Sequence, residues 1–72
     1  MPFDLTFVGE RTKNNLGVVI AERETVIGNK YILVLMDDKR YVSWLVDDER
    51  NEYHGRYAYT IHEAVNEFNS RT

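Results

Sequence analysis

Residues 31–36 read Tyr-Ile-Leu-Val-Leu-Met, apolar at every position. A strand sends alternate side chains to opposite faces, so a run without polar alternation has to be covered on both. This segment therefore reads as the interior strand of a sheet, and the rest of the chain must be arranged around it.

The flanks of that strand predict a meander. Residues 16–27 are rich in β-branched types, and Gly28-Asn29 follows in the position of a two-residue hairpin loop. Pairing Ile27 with Lys30 sets Val26 opposite Tyr31, Glu24 opposite Leu33 and Glu22 opposite Leu35. Downstream, Asp38-Lys39 makes a second tight turn that pairs Asp37 with Arg40, so the strand at 41–46 brings Trp44 opposite Leu33 and Val42 opposite Leu35. The polar run 47–52 is a loop before a last strand at 53–59. Pairing Asp47 with Glu52 lays the Trp44 indole over Gly55, covering backbone that would otherwise be wet.

Two further segments complete the plan. Residues 3–8 alternate Phe3, Leu5 and Phe7 with Asp4, Thr6 and Val8, as a fifth strand or a tethered arm, and a polar loop at 9–15 follows. Thr60 and Glu63 form a capping box, after which Ile61, Ala64, Val65 and Phe68 recur at helical spacing. The fold class is α+β: an antiparallel β-meander of four or five strands with one C-terminal helix packed on one face. The 72 residues make a single domain, with an arm and loop at 1–15, the meander at 16–59 and the helix at 60–71.

These registers sort the side chains into two faces. A tryptophan face carries Tyr31, Leu33, Leu35, Val42, Trp44, Val46, Tyr53, Tyr57 and Tyr59, with Glu22, Glu24 and Val26 from the first strand. A histidine face carries Ile32, Val34, Met36, Tyr41, Ser43, Leu45, His54, Arg56 and Ala58, with Ala21, Arg23 and Thr25. A helix of ten to twelve residues is roughly 15 to 18 Å long, and a four-stranded sheet is about 14 Å by 20 Å. One such helix covers one face. Tyr59, just before the N-cap, favours the tryptophan face for it. The other face is then left to the N-terminal segment, a second subunit, a ligand or water.

Composition removes several function classes. A net charge of −3 and scattered basic residues argue against a chain devoted to a nucleic-acid backbone. The absence of cysteine removes disulfides and thiolate metal sites, which for a chain this short raises the prior on self-association. No apolar run reaches the roughly 20 residues that span a bilayer, and Met-Pro-Phe-Asp has neither the basic stretch nor the apolar core of a signal peptide, which points to a cytoplasmic chain.

Chemical motifs fail on inspection. His62-Glu63 opens like a helical zinc-protease motif, but Asn66 stands where the second histidine is required. Asp47, Glu49, Asn51 and Glu52 lack the glycine and the length of a calcium loop. His54, Arg56, Ser43 and Tyr41 share a face, yet an open sheet in so small a domain implies no substrate pocket. The four glycines stand singly, with no phosphate loop. No catalytic residue, metal ligand or cofactor site is assigned.

The residues 41–47, Tyr-Val-Ser-Trp-Leu-Val-Asp, then 53–57, Tyr-His-Gly-Arg-Tyr, then 63–68, Glu-Ala-Val-Asn-Glu-Phe, resemble small uncharacterised proteins of Gram-positive bacteria, their phages and mobile elements. In that group a Gly-His-Tyr type turn leads into a short helix with Glu-Ala and Phe, whereas here Arg56 follows Gly55. The resemblance covers about half the chain and implies a fold and a mobile-element setting, without an activity.

The expectation is a non-enzymatic protein-interaction or regulatory module with a protein partner, a homodimer included. With the helix on the tryptophan face, the interaction surface is Arg23, Met36, Tyr41, His54 and Arg56. With the helix on the other face, Tyr31, Trp44, Tyr53 and Tyr57 form an aromatic platform of the kind that stacks single-stranded bases.

Overall fold

The computed structural model describes residues 8–49 and 51–71. Four strands, β1 (Gly17–Glu24), β2 (Lys30–Met36), β3 (Tyr41–Val46) and β4 (Glu52–Ala58), form one antiparallel sheet in the order β1-β2-β3-β4. One helix, α1 (Ile61–Ser70), packs against β2, β3 and β4. The α+β meander expected from the sequence is present. The expected strand at 3–8 lies outside the described residues except for Val8, which stands in a turn.

Residues 9–12 run beside the outer side of β1: Gly9 N donates to Val19 O at 2.8 Å, Val19 N to Glu10 O at 2.9 Å and Thr12 N to Gly17 O at 3.0 Å. The loop is tied to the β2–β3 turn by Arg11, whose guanidinium grips both carboxylate oxygens of Asp37 at 2.6 and 3.1 Å. That hydrogen bonding holds the Asp37 carboxyl below the usual range.

Both central hairpins differ from expectation in loop length. Thr25 N donates to Asn29 O and Gly28 N to Thr25 O, with Gly28 at φ 91°. Met36 N donates to Arg40 O and Lys39 N to Met36 O, with Lys39 at φ 75°. Each is a three-residue loop, a type I turn closed by one left-handed residue, where the sequence suggested two residues. Glu24 accordingly pairs with Lys30 and Glu22 with Ile32, while Ile32 pairs with Trp44 and Leu33 with Ser43. Val26, expected opposite Tyr31, instead projects from the turn fully exposed beside Ile27.

Both slips are odd in number, and an odd slip turns a strand over. Because they flank β2 on its two sides, they cancel for β1 and β3, so β2 is reversed between them; in β4 a separate irregularity moves Tyr53 as well. Tyr31 and Leu33 share a face with Ala21, Arg23, Tyr41, Ser43 and Leu45, and Ile32, Val34 and Met36 share one with Val42, Trp44 and Val46.

The helix lies on the face of Tyr41, Ser43, Leu45 and Ala58, not on the tryptophan face. Ala64 and Phe68 pack with Tyr31, Leu33 and Ala58, flanked by Ala21, Tyr41 and Leu45. Small side chains at Ala58, Ala64 and Ser43 let the helix approach, and Tyr59, expected to begin the core, is 79% exposed. Thr60 caps the helix by accepting from Glu63 N at 3.2 Å, and Glu63 reaches back to Tyr59 N.

The tryptophan face is closed as well. Val19, Ile32, Val34, Met36, Val42, Trp44 and Val46 form a second core, none more than 7% exposed. The single chain therefore buries both faces, and the expected uncovered apolar face is absent among the described residues. As the pairing of β3 with β4 suggested, the indole covers Gly55: a Cβ there would lie 2.7 Å from Trp44 Nε1.

Candidate functional site

With both faces covered, the exposed chemistry concentrates on β4 and the end of α1. β4 is an outer strand, and its positions Tyr53, His54, Gly55, Arg56 and Tyr57 are all exposed. Its ladder to β3 is broken between Ser43 and Leu45, where His54 and Gly55 together face Trp44 and His54 takes φ 56°. A non-glycine residue in the left-handed region at a bulge re-aims the strand. Beyond the bulge Tyr53 pairs with Leu45, so it leaves the side that holds Tyr57.

The bulge and the helix end enclose a recess of about 510 Å³ lined by Tyr31, His54, Gly55, Arg56, Ser70 and Arg71. Arg71 dominates it. The residue is only 8% exposed, continuing the inward stripe of Ala64 and Phe68 one turn further. Its Nη1 donates to Ser43 O at 2.7 Å and Ser43 Oγ at 2.9 Å, and its Nη2 donates to His54 O. Its guanidinium lies 4.8 Å over the Tyr31 ring. Burial lowers the Arg71 pKa from its ordinary value, partly opposed by Tyr31.

Two more arginines stand nearby. Arg23 donates to the Phe68 and Arg71 carbonyls at 3.1 and 2.6 Å, satisfying helix-end acceptors that α1 leaves open, with its guanidinium against the Phe68 ring. Arg56, exposed, pairs with Glu67 at 3.2 Å.

The expected interaction surface is thus partly assembled. Arg23, Tyr41, His54 and Arg56 do gather on one side, but the helix sits among them, and Met36 is buried on the opposite face. The aromatic platform does not form. Tyr31 and Trp44 are buried on opposite faces because β2 is reversed, leaving Tyr53 and Tyr57 exposed. Tyr57 and Trp44 meet edge to face, with ring centroids 6.4 Å apart and planes at 84°, and the Arg40 guanidinium lies 5.2 Å from the Tyr57 ring centroid. Sequence reasoning missed Ser70 and Arg71; the signal was available in the spacing of Ala64, Phe68 and Arg71 along one helical stripe.

The loop read against a calcium site has another use for its oxygens. Asp47 accepts from the backbone N–H groups of Glu49 and Asn51, from the Asn51 amide and from the Tyr53 hydroxyl, all at 2.9 to 3.0 Å. Led by Asn51, these donors pull its pKa down to about 2. No helix among the described residues is long and apolar enough to cross a membrane. Comparison of the chain with family models, with curated proteins and with solved structures finds no match in any of the three.

Proposed function

We propose that the chain is a non-enzymatic protein-interaction module of the cytoplasm, an accessory or regulatory factor of the kind encoded by phages and mobile elements, and that its contact surface is β4 with the start of α1. One observation carries this reading: five consecutive exposed positions on an outer strand, including Tyr53 and Tyr57, run on through exposed Tyr59, Ile61 and Val65. Tyrosines with adjacent aliphatic groups supply rigid, amphipathic area, and such side chains are enriched where proteins meet. A second copy of the chain is one partner that this surface admits. With the centre of both sheet faces buried, this border gathers five of the exposed large apolar side chains, Tyr53, Tyr57, Tyr59, Ile61 and Val65.

The test is site-specific photocrosslinking in producing cells, with a benzophenone amino acid at Tyr59 and, as control, at Asp48. A discrete adduct from position 59 alone, lost when Ile61 and Val65 are changed to glutamate, is the expected result, and its mass separates self-association from a different partner. No adduct, or the same adducts from both positions, would end this reading.

A further inference from the structure

We infer that the recess between the β4 bulge and the end of α1 is a binding site for an oxyanion, a carboxylate or phosphate group held between Arg71 and Arg56. The buried cation is the starting point. Arg71 has been taken largely out of water, yet no carboxylate pairs with it among the described residues; its contacts are two carbonyls, one hydroxyl and a ring face. A guanidinium has five N–H donors. Three are engaged with Ser43 and His54, and the Tyr31 side chain interacts with the same guanidinium, so its charge is met by neutral groups alone among these contacts.

The recess supplies what those donors lack. Its six lining residues include no acid, and Arg56 brings a second guanidinium, which is bonded to Glu67. The planar fork of arginine matches the paired oxygens of a carboxylate or phosphate, and in a partly dry recess such bonds strengthen. A helix C-terminus ordinarily repels anions through its open carbonyls. Here Arg23 covers two of them. Arg23, Arg56 and Arg71 are three of the chain's nine basic residues, gathered at one end of α1 in a chain of net charge −3, with Glu67 paired to Arg56.

The recess shares His54, Gly55 and Arg56 with the β4 surface proposed above but not Tyr59, Ile61 or Val65, so changes at Ile61 and Val65 test that surface and leave the recess intact. The experiment is an NMR titration of the ¹⁵N-labelled chain with sodium phosphate, N-acetylglycine and N-acetylglycinamide, each against sodium chloride at matched ionic strength. Saturable shifts at the Gly55, Arg56 and Ser70 amides and the Arg71 Nε–H are expected with phosphate or acetylglycine and not with the amide. The tighter of the two anions identifies the source. Arg56→Gln, at an exposed position, should weaken binding about tenfold without unfolding the chain, and Arg71→Lys should weaken it while keeping the charge. Shifts no larger than those with chloride, or an affinity indifferent to Arg56→Gln, would overturn the inference.

Discussion

On the tryptophan side of the sheet the buried set is aliphatic chains, one thioether and one indole; on the helix side the buried set takes in Ser43 and Arg71 beside Tyr31 and Phe68. Apolar contacts are non-directional and reward area, so the first side supplies cohesion. Hydrogen bonds from a buried guanidinium are directional, and they hold one arrangement of β3, β4 and α1 among several that apolar packing would tolerate. The difference teaches where to look for each property: cohesion on one face, and a fixed arrangement of polar groups on the other.

The strongest way to break that contrast is Trp44→Ala. Removing the indole empties the centre of the dry face and should cost about 3–5 kcal/mol, enough to leave much of so small a domain unfolded, as chemical denaturation would show. A loss below about 1 kcal/mol would mean that this face is not the source of cohesion. Gly55→Ala asks whether the indole is pressed onto the β4 backbone. The added methyl would meet Trp44 Nε1 at 2.7 Å and the Tyr57 ring at 3.2 Å, costing about 1–3 kcal/mol; a neutral result would show the indole free to move aside. The smallest effect concerns the turn that assigns side chains to faces. Lys39 holds φ 75°, so Lys39→Gly should relieve left-handed strain, less the added chain entropy of glycine, for a gain of about 0.5 kcal/mol. Its melting temperature should rise by about 3 °C, and a fall would contradict the assigned register.

Much of the architecture was legible, and most of what was not comes from loop length. Alternation within β1, β3 and β4 and the capping box at Thr60 gave element positions that the structure keeps to within a few residues. Loop length was the weak point, because Gly28 serves a two-residue turn or closes a three-residue one equally well, and Lys39 gives no sign of its left-handed backbone. Each loop is off by an odd number, so β2 changed sides and took Tyr31 away from Trp44, while the bulge in β4 moved Tyr53 off the side of Tyr57, and together these dissolve the aromatic platform. The recess escaped notice for a different reason. Arg71 was given no role, since charge usually marks the outside, although its spacing from Phe68 placed it inward.

The bulge at His54 and Gly55 has a consequence for the chain in crowded solution. A straight outer strand offers an unbroken row of N–H and C=O groups on which other chains can polymerise. In β4 that row is interrupted at its middle, where the backbone turns aside and Arg71 occupies the His54 carbonyl. The remaining pieces are shorter than the six or seven residues that stack into fibrils. The tyrosines of this strand can thus stay uncovered at high concentration without templating aggregation, and what a visitor meets at this edge is rings and guanidinium groups in place of a bare ladder.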